Sequence, residues 1–299
     1  MRLIAHRGFA GVTPENTLTA VGEAATVADA VEVDVRRCAT GELVVIHDET
    51  VDRVTDGEGS VADHTLAELR ELDVLGTGEG VPTLEAILAA IPDGVGVNVE
   101  LKESGTAADA LAAMDASKPW TLLSSFSADI LSDCRAADSS VPRAFITEDG
   151  EAAVETAREL DCDFLHPSTE ACTGRLVSDA HHAGMSVNAW TVRDRETAES
   201  LAGRGVDGLI ADRPDVRPDV PYTADCTHMK RSRPENESLD GIRPNIAEES
   251  RDSYSRQYDY SRSARSTVPS TRRRCSPTVA GAMSTRSATS ACVPSRGSS

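Results

Sequence analysis

Short apolar runs recur along the first two thirds of the chain. Between them lie stretches rich in Ala, Glu and Leu, with apolar positions at helical intervals. The runs predict strands near 2–5, 31–35, 97–101, 120–124, 143–146, 163–165, 185–190 and 208–210. The stretches between predict helices at 16–28, 107–114, 127–137, 150–160, 174–183 and 194–203. Eight strands with helical crossovers are the expectation for an α/β protein built as a (β/α)8 TIM barrel. A doubly wound open sheet is the alternative, but no Gly-rich phosphate fingerprint follows the first strand.

One apolar run, Leu43 to Ile46, is left over, and only Cys38 to Glu42 separate it from the second strand. So short a link holds no crossover helix, so the run is expected to return antiparallel. A hairpin centred on Thr40-Gly41 sets His47 opposite Asp34. Residues 48–95 then form a small insertion before the third barrel strand. It has a Gly-rich turn at Asp56-Gly57-Glu58-Gly59, a helix start at Thr65 with Glu68 three residues on, and a second helix opened by Pro82-Thr83-Leu84-Glu85. Insertions on the C-terminal face of a barrel shape access to its site, so this one is expected to act as a cap.

The polar exceptions to the pattern sit at the strand ends. Glu32 and Asp34 share one face of a strand whose other face is Val31, Val33 and Val35, and Asn98, Glu100 and Lys102 repeat the arrangement. Carboxylates on such strands are costly to bury unpaired, so a cation is expected between them, and a divalent metal ion meets that requirement.

Charge divides the chain. Residues 1–216 hold 40 Asp+Glu against 16 Lys+Arg, whereas residues 217–299 hold 9 against 14. The acidic part has few aromatics and two of the three lysines, Lys102 and Lys118, the pattern of a protein kept soluble in concentrated salt. Such a surface excludes nucleic acid as the partner of the first part. The basic part is rich in Ser, Arg, Pro and Thr, and from Ser261 to Ser299 it has seven Arg and no acidic residue. It is expected to be a disordered tail, with a basic arm or a non-native ending as alternatives. The chain shows neither a signal peptide nor a membrane span, so a cytoplasmic protein is expected. Its seven scattered cysteines form no C-x-x-C pair and read as reduced thiols.

Taken in order, His6-Arg7-Gly8, Pro14-Glu15-Asn16-Thr17, Glu32-x-Asp34, His47-Asp48, Glu100-x-Lys102, Ser125-Phe126, Trp190-Thr191-Val192 and Asp207-Gly208-Leu209-Ile210-x-Asp212-x-Pro214 resemble the glycerophosphodiester phosphodiesterases. The resemblance spans residues 1–216 and departs mildly at Arg193, where the family often has Asn. It implies a barrel enzyme that uses one divalent cation, Mg2+ or Ca2+, to hydrolyse small glycerophosphodiesters to glycerol 3-phosphate and an alcohol. By the same resemblance Glu32, Asp34 and Glu100 are the metal ligands, and oxygen-only ligands suit those hard ions. His6 and His47 become the proton-transfer pair, with acid and base unassigned. Arg7 and Lys102 hold the phosphate, and Trp190 walls the glycerol pocket or belongs to the core. Glu15 and Asn16 support the loop after His6, Asp48 is a candidate to orient His47, and Asp212 is a candidate neighbour of the mouth. His64, His166, His181, His182 and His228 read as surface or packing histidines. Two alternatives stand beside this reading: a phospholipase D-like enzyme acting on lysophospholipid or sphingomyelin, and a barrel that binds a phosphate ligand without turnover. Neither the oligomeric state nor the alcohol of the substrate is legible.

Overall fold

The computed structural model describes residues 1–114 and 121–218. The strands are β1 Arg2–His6, β2 Ala30–Arg37, β3 Leu43–Val45, β4 Gly96–Leu101, β5 Thr121–Ser125, β6 Arg143–Thr147, β7 Phe164–Pro167, β8 Ser186–Val192 and β9 Gly208–Ala211. The helices are α1 Leu18–Ala24, α2 Leu66–Glu71, α3 Leu84–Ala90, α4 Ala107–Ala113, α5 Ala128–Ala137, α6 Ala153–Glu159, α7 Gly174–His182 and α8 Arg195–Arg204. Eight strands run parallel in the order β1-β9-β8-β7-β6-β5-β4-β2, and β1 also pairs with β2, which closes the sheet into a (β/α)8 barrel. Side-chain alternation divides each strand between two environments. On β2, Val31, Val33 and Val35 join the large apolar cluster under the helices, while Ala30, Glu32 and Asp34 face the barrel interior. Each fully buried Val or Leu of that cluster contributes about 1.5–3 kcal/mol before chain entropy is charged against it.

Helix starts are set by local chemistry. Thr17, Thr83, Ser127, Thr173 and Asp194 each accept from the third backbone amide beyond them. Thr65 and Glu68 form the reciprocal capping box that their spacing predicts. Losing one such cap costs about 1 kcal/mol.

Two expectations need correction. The hairpin pairs Val35 with Val45 and Arg37 with Leu43, so Asp34 lies opposite Ile46 rather than His47. The loop has three residues, Ala39 to Gly41, inside a Cys38–Glu42 backbone bond, and Gly41 takes the positive φ (101°) such a loop requires. The predicted 48–95 insertion also divides. Val51, Val54, Val61, Leu69, Val74 and Val81 build a small core of their own with Val44 and Ile46. Leu84, Ile87 and Leu88 of α3 instead join the main cluster, making α3 the barrel's own crossover helix between β2 and β4. The expectation of a disordered tail falls outside the described residues apart from Arg217, which ion-pairs with Asp29, and Pro218. Among the described residues no helix is long and apolar enough to cross a membrane.

Candidate active site

The parallel register of β2 on β4 sets Glu32 beside Asn98 and Asp34 beside Glu100, so the three carboxylates project into one end of the barrel. All are buried, and an oxygen from each lies within 4.8 Å of the others. Two cations reach them. Lys102 Nζ lies 2.9 Å from Asp34 Oδ1 and pairs with Glu100, and Arg7 Nε lies 3.1 Å from Asp34 Oδ2. Asn16 Nδ2 donates to Asp34 (3.0 Å), and the Arg7 backbone amide donates to Glu32 Oε2 (3.0 Å). Glu32 Oε1 is buried with no hydrogen-bond partner.

The three acids are in different states. Burial opposes ionisation of Asp34, but Lys102 and Arg7 outweigh it and hold that carboxyl well below its usual range. Glu32 is driven far the other way by burial and by the charges of Asp34 and Glu100, and burial with Asp34 pushes Glu100 up to about 7. With two cations already on Asp34, burial drives Glu32 and Glu100 toward their protonated forms, and one Glu32 oxygen is left without a partner; a divalent ion bound here would take the place of those protons. An all-oxygen donor set of this kind fits a hard divalent ion.

The backbone bends sharply to bring Arg7 here. Arg7, Gly8 and Phe9 have φ of 51°, 77° and 69°, and Asn16 has 60°. Side-chain-bearing residues in that region cost about 1–3 kcal/mol each, strain that persists where surroundings enforce it. At Gly8 the turn lies so close to α1 that a Cβ would come within 2.9 Å of the Ala20 backbone, so only glycine fits.

Histidines flank the carboxylates on two sides. His6 ends β1 at the register position of Glu32, and its Nδ1 lies 2.6 Å from Asp212 Oδ1, just past β9. His47 follows β3, and its Nδ1 lies 2.6 Å from Asp48 Oδ1. A carboxylate on Nδ1 accepts that N–H and leaves Nε2 as the basic nitrogen of the neutral ring. Burial pushes His47 below the ordinary histidine value, Asp34 opposes that, and Lys102 adds to it. The Arg53 hydrogen bond, followed by that of His47, holds Asp48 down at about 2. Burial notwithstanding, the His6 hydrogen bond keeps Asp212 below its usual range.

Trp190 is half-buried at the end of β8, donates from Nε1 to His166 O (2.8 Å) and meets the exposed Phe126 ring edge-on at 5.4 Å. Ile4, Ala30 and Ile210 of the barrel interior pack against it, so it serves the core and the rim together. The structure thus gathers Asp34, Glu100, Arg7 and Lys102 in one ion-paired group with Glu32 beside it on the Arg7 backbone amide, and His6 and His47 carry one carboxylate each. Sequence reasoning underrated Asp212, whose partner lies 206 positions away, and missed Arg53, which ion-pairs with both Asp48 and Glu15. The Asp48–Arg53 spacing matches no regular element, so no periodic signal marks it. Glu15 does more than hold a loop, because it accepts from Arg7 Nη1 (3.0 Å). His166 is fully buried beside Asn188, whereas His181 sits on the surface with Asp207.

Comparison with known proteins gives one consistent picture. The model of the glycerophosphoryl diester phosphodiesterase family matches residues 6–216. A glycerophosphodiester phosphodiesterase of Caldanaerobacter subterraneus subsp. tengcongensis is 34% identical over 230 residues, covering 72% of this chain and 95% of that protein. A solved Oleispira antarctica phosphodiesterase in complex with the product sn-glycerol-3-phosphate superposes with a TM-score of 0.67 at 32% identity, covering 72% of this chain and 95% of the other. A glycerophosphodiester phosphodiesterase structure from Agrobacterium tumefaciens gives 0.65 at 28% identity, with 72% and 98% covered.

Proposed function

Because the chain belongs to the glycerophosphoryl diester phosphodiesterase family and is a phosphoric diester hydrolase, we propose that it cleaves glycerophosphodiesters to glycerol 3-phosphate and an alcohol with one divalent cation, Mg2+ or Ca2+. The observation that carries this reading is the buried, all-oxygen Glu32, Asp34 and Glu100 group, with one Glu32 oxygen unpartnered, flanked by two histidines, each held at Nδ1 by a carboxylate. The product named with the Oleispira structure, sn-glycerol-3-phosphate, supports the same direction of cleavage.

Glu32, Asp34 and Glu100 would hold the cation, which when bound supplies positive charge against the phosphoryl oxygens. Arg7 brings a guanidinium fork to the phosphate and Lys102 a compact charge, while their pairing with Asp34 keeps both in place before substrate arrives. Net hydrolysis adds water across one P–O bond: one histidine Nε2 takes the proton of the attacking oxygen, and the other Nε2 gives a proton to the departing alkoxide. Asp212 and Asp48 fix the tautomers that leave those two nitrogens free for the transfer. Trp190 and Phe126 would offer an apolar wall to the glycerol carbons.

Product analysis tests the direction of cleavage. Full-length protein with Mg2+ or Ca2+ and a panel of glycerophosphodiesters, glycerophosphocholine among them, should release glycerol 3-phosphate and the free alcohol. Release of glycerol and a phosphorylated alcohol would overturn the proposal.

A further inference from the structure

His47 lies beyond the last residue of β3, and its ring is bonded to Asp48. The last backbone bond before it runs from Ile46 N–H to Asp34 O, and Arg36 Nε donates to the His47 carbonyl (2.9 Å). Orientation of the ring therefore rests on Asp48, and Asp48 is itself held. Arg53 Nε donates to Asp48 Oδ2 (2.5 Å), while Nη1 and Nη2 take both oxygens of Glu15 at 2.9 and 2.8 Å. Glu15 in turn accepts from Arg7 Nη1, and Arg7 reaches Asp34. One guanidinium thus stands between the two carboxylates that position His47 and Arg7.

We propose that Arg53 is a positioning residue that ties the inserted cap to both sides of the phosphate site, aligning His47 through Asp48 and Arg7 through Glu15. The assignment rests on the roles given to His47 and Arg7 under Proposed function. Exposed ion pairs usually contribute little, and the Arg53 side chain is 48% exposed. This one differs in three respects. Its contact with Glu15 is a two-pronged fork, Glu15 is nearly buried at 12% side-chain exposure, and Arg53 lies within a loop pinned by the buried Val51 and Val54 of the cap core. Geometry predicts two separable consequences of losing it. Asp48 keeps only His47 and is free to swing with the loop, misaligning the ring. Glu15 turns its whole charge on Arg7 and draws the guanidinium off the phosphate.

Kinetics on full-length variants with saturating cation tests this. Arg53→Gln should lower kcat by about 10- to 100-fold, the usual effect of misaligning a reacting group, and raise KM several-fold. In an Asp48→Asn background the kcat effect of Arg53→Gln should shrink to about twofold or less while the KM effect persists. In a Glu15→Gln background the reverse should hold. Arg53→Lys keeps the charge without the fork and should restore only part of either loss, and it decides the matter should Arg53→Gln fail to fold. Losses that add fully in both backgrounds, or a lysine variant equal to the parent in kcat and KM, would overturn the proposal. A His47→Ala enzyme with undiminished turnover would instead overturn the role of His47 itself, whatever Arg53 does.

Discussion

Glu32, Asp34 and Glu100 at the mouth of the barrel and His166 with Asn188 deeper inside are equally hidden from water, yet burial leaves them in opposite conditions. His166 is pushed down to about 3 by burial and by the charge of Arg2, so it is a neutral ring whose Nε2 accepts from Asn188 Nδ2 at 3.0 Å. An imidazole escapes the cost of burial by releasing a proton. A carboxylate escapes only by gaining one, and Asp34 is prevented from doing so by Lys102 and Arg7. The interior pair is neutral, though His166 Nδ1 and Asn188 Oδ1 lack partners, whereas the mouth holds an ionised Asp34 beside two acids whose protons a bound cation would displace. Buried polar groups become a candidate site where several acids converge and their neighbours keep at least one of them ionised.

The largest contrast should appear in turnover. His6→Ala and His47→Ala should each lower kcat by about two to four orders of magnitude, measured as glycerol 3-phosphate release, with KM changed much less. His166→Leu in the same assay should stay within a few-fold of the parent. A histidine at the mouth that proves dispensable, or one inside that proves essential, would break the comparison.

A smaller effect lies in stability against pH. Burial and the charge of Asp34 push Glu100 up to about 7 from its ordinary value of 4.5, and Glu32 is raised likewise. A raised acid favours the folded state below its unfolded pKa, and that contribution is lost as pH rises through the folded value, here from about 4.5 to beyond 7. A cation takes the ionised form, so the rise in Tm on adding Mg2+ or Ca2+ should be larger at about pH 8 than at about pH 5.5. An equal rise at both would show that these acids do not bind the ion. Glu100→Gln removes one like charge and should narrow the pH dependence of the metal-free Tm while weakening the response to cation.

The smallest expected effect belongs to the interior pair. His166→Leu leaves Asn188 Nδ2 without its acceptor but also removes the buried, unpartnered His166 Nδ1, so it should cost about 1 kcal/mol or less of unfolding free energy. Because the folded ring stays neutral while the unfolded one charges below about 6.5, that difference should shrink as pH falls from 7 to 5. A histidine NMR titration showing His166 protonating near 6 would contradict the reading.

Much of this architecture was legible in the sequence because it depends on local rules. Period-two alternation on β2 and β4 marks Glu32, Asp34 and Glu100, and Thr65 with Glu68 announces its helix. The hairpin register was displaced by one residue because a three-residue loop with Gly41 at positive φ looks, in one dimension, much like a two-residue turn. The crossover role of α3 was hidden because its apolar face has the same pattern whether it covers a cap or a barrel. What stayed out of reach were links between distant loops, such as His6 to Asp212 and Arg53 to Glu15, which only barrel closure and the docked cap create.

The central claim is that the mouth carboxylates work by holding a divalent cation. The most direct measurement is glycerol 3-phosphate release by the full-length protein after exhaustive chelation and again after adding back Mg2+ or Ca2+, with Asp34→Asn run alongside. The parent should fall silent on chelation and recover on addition, while a folded Asp34→Asn should stay slow at cation concentrations that saturate the parent. Hydrolysis at an undiminished rate by the chelated parent would contradict the account.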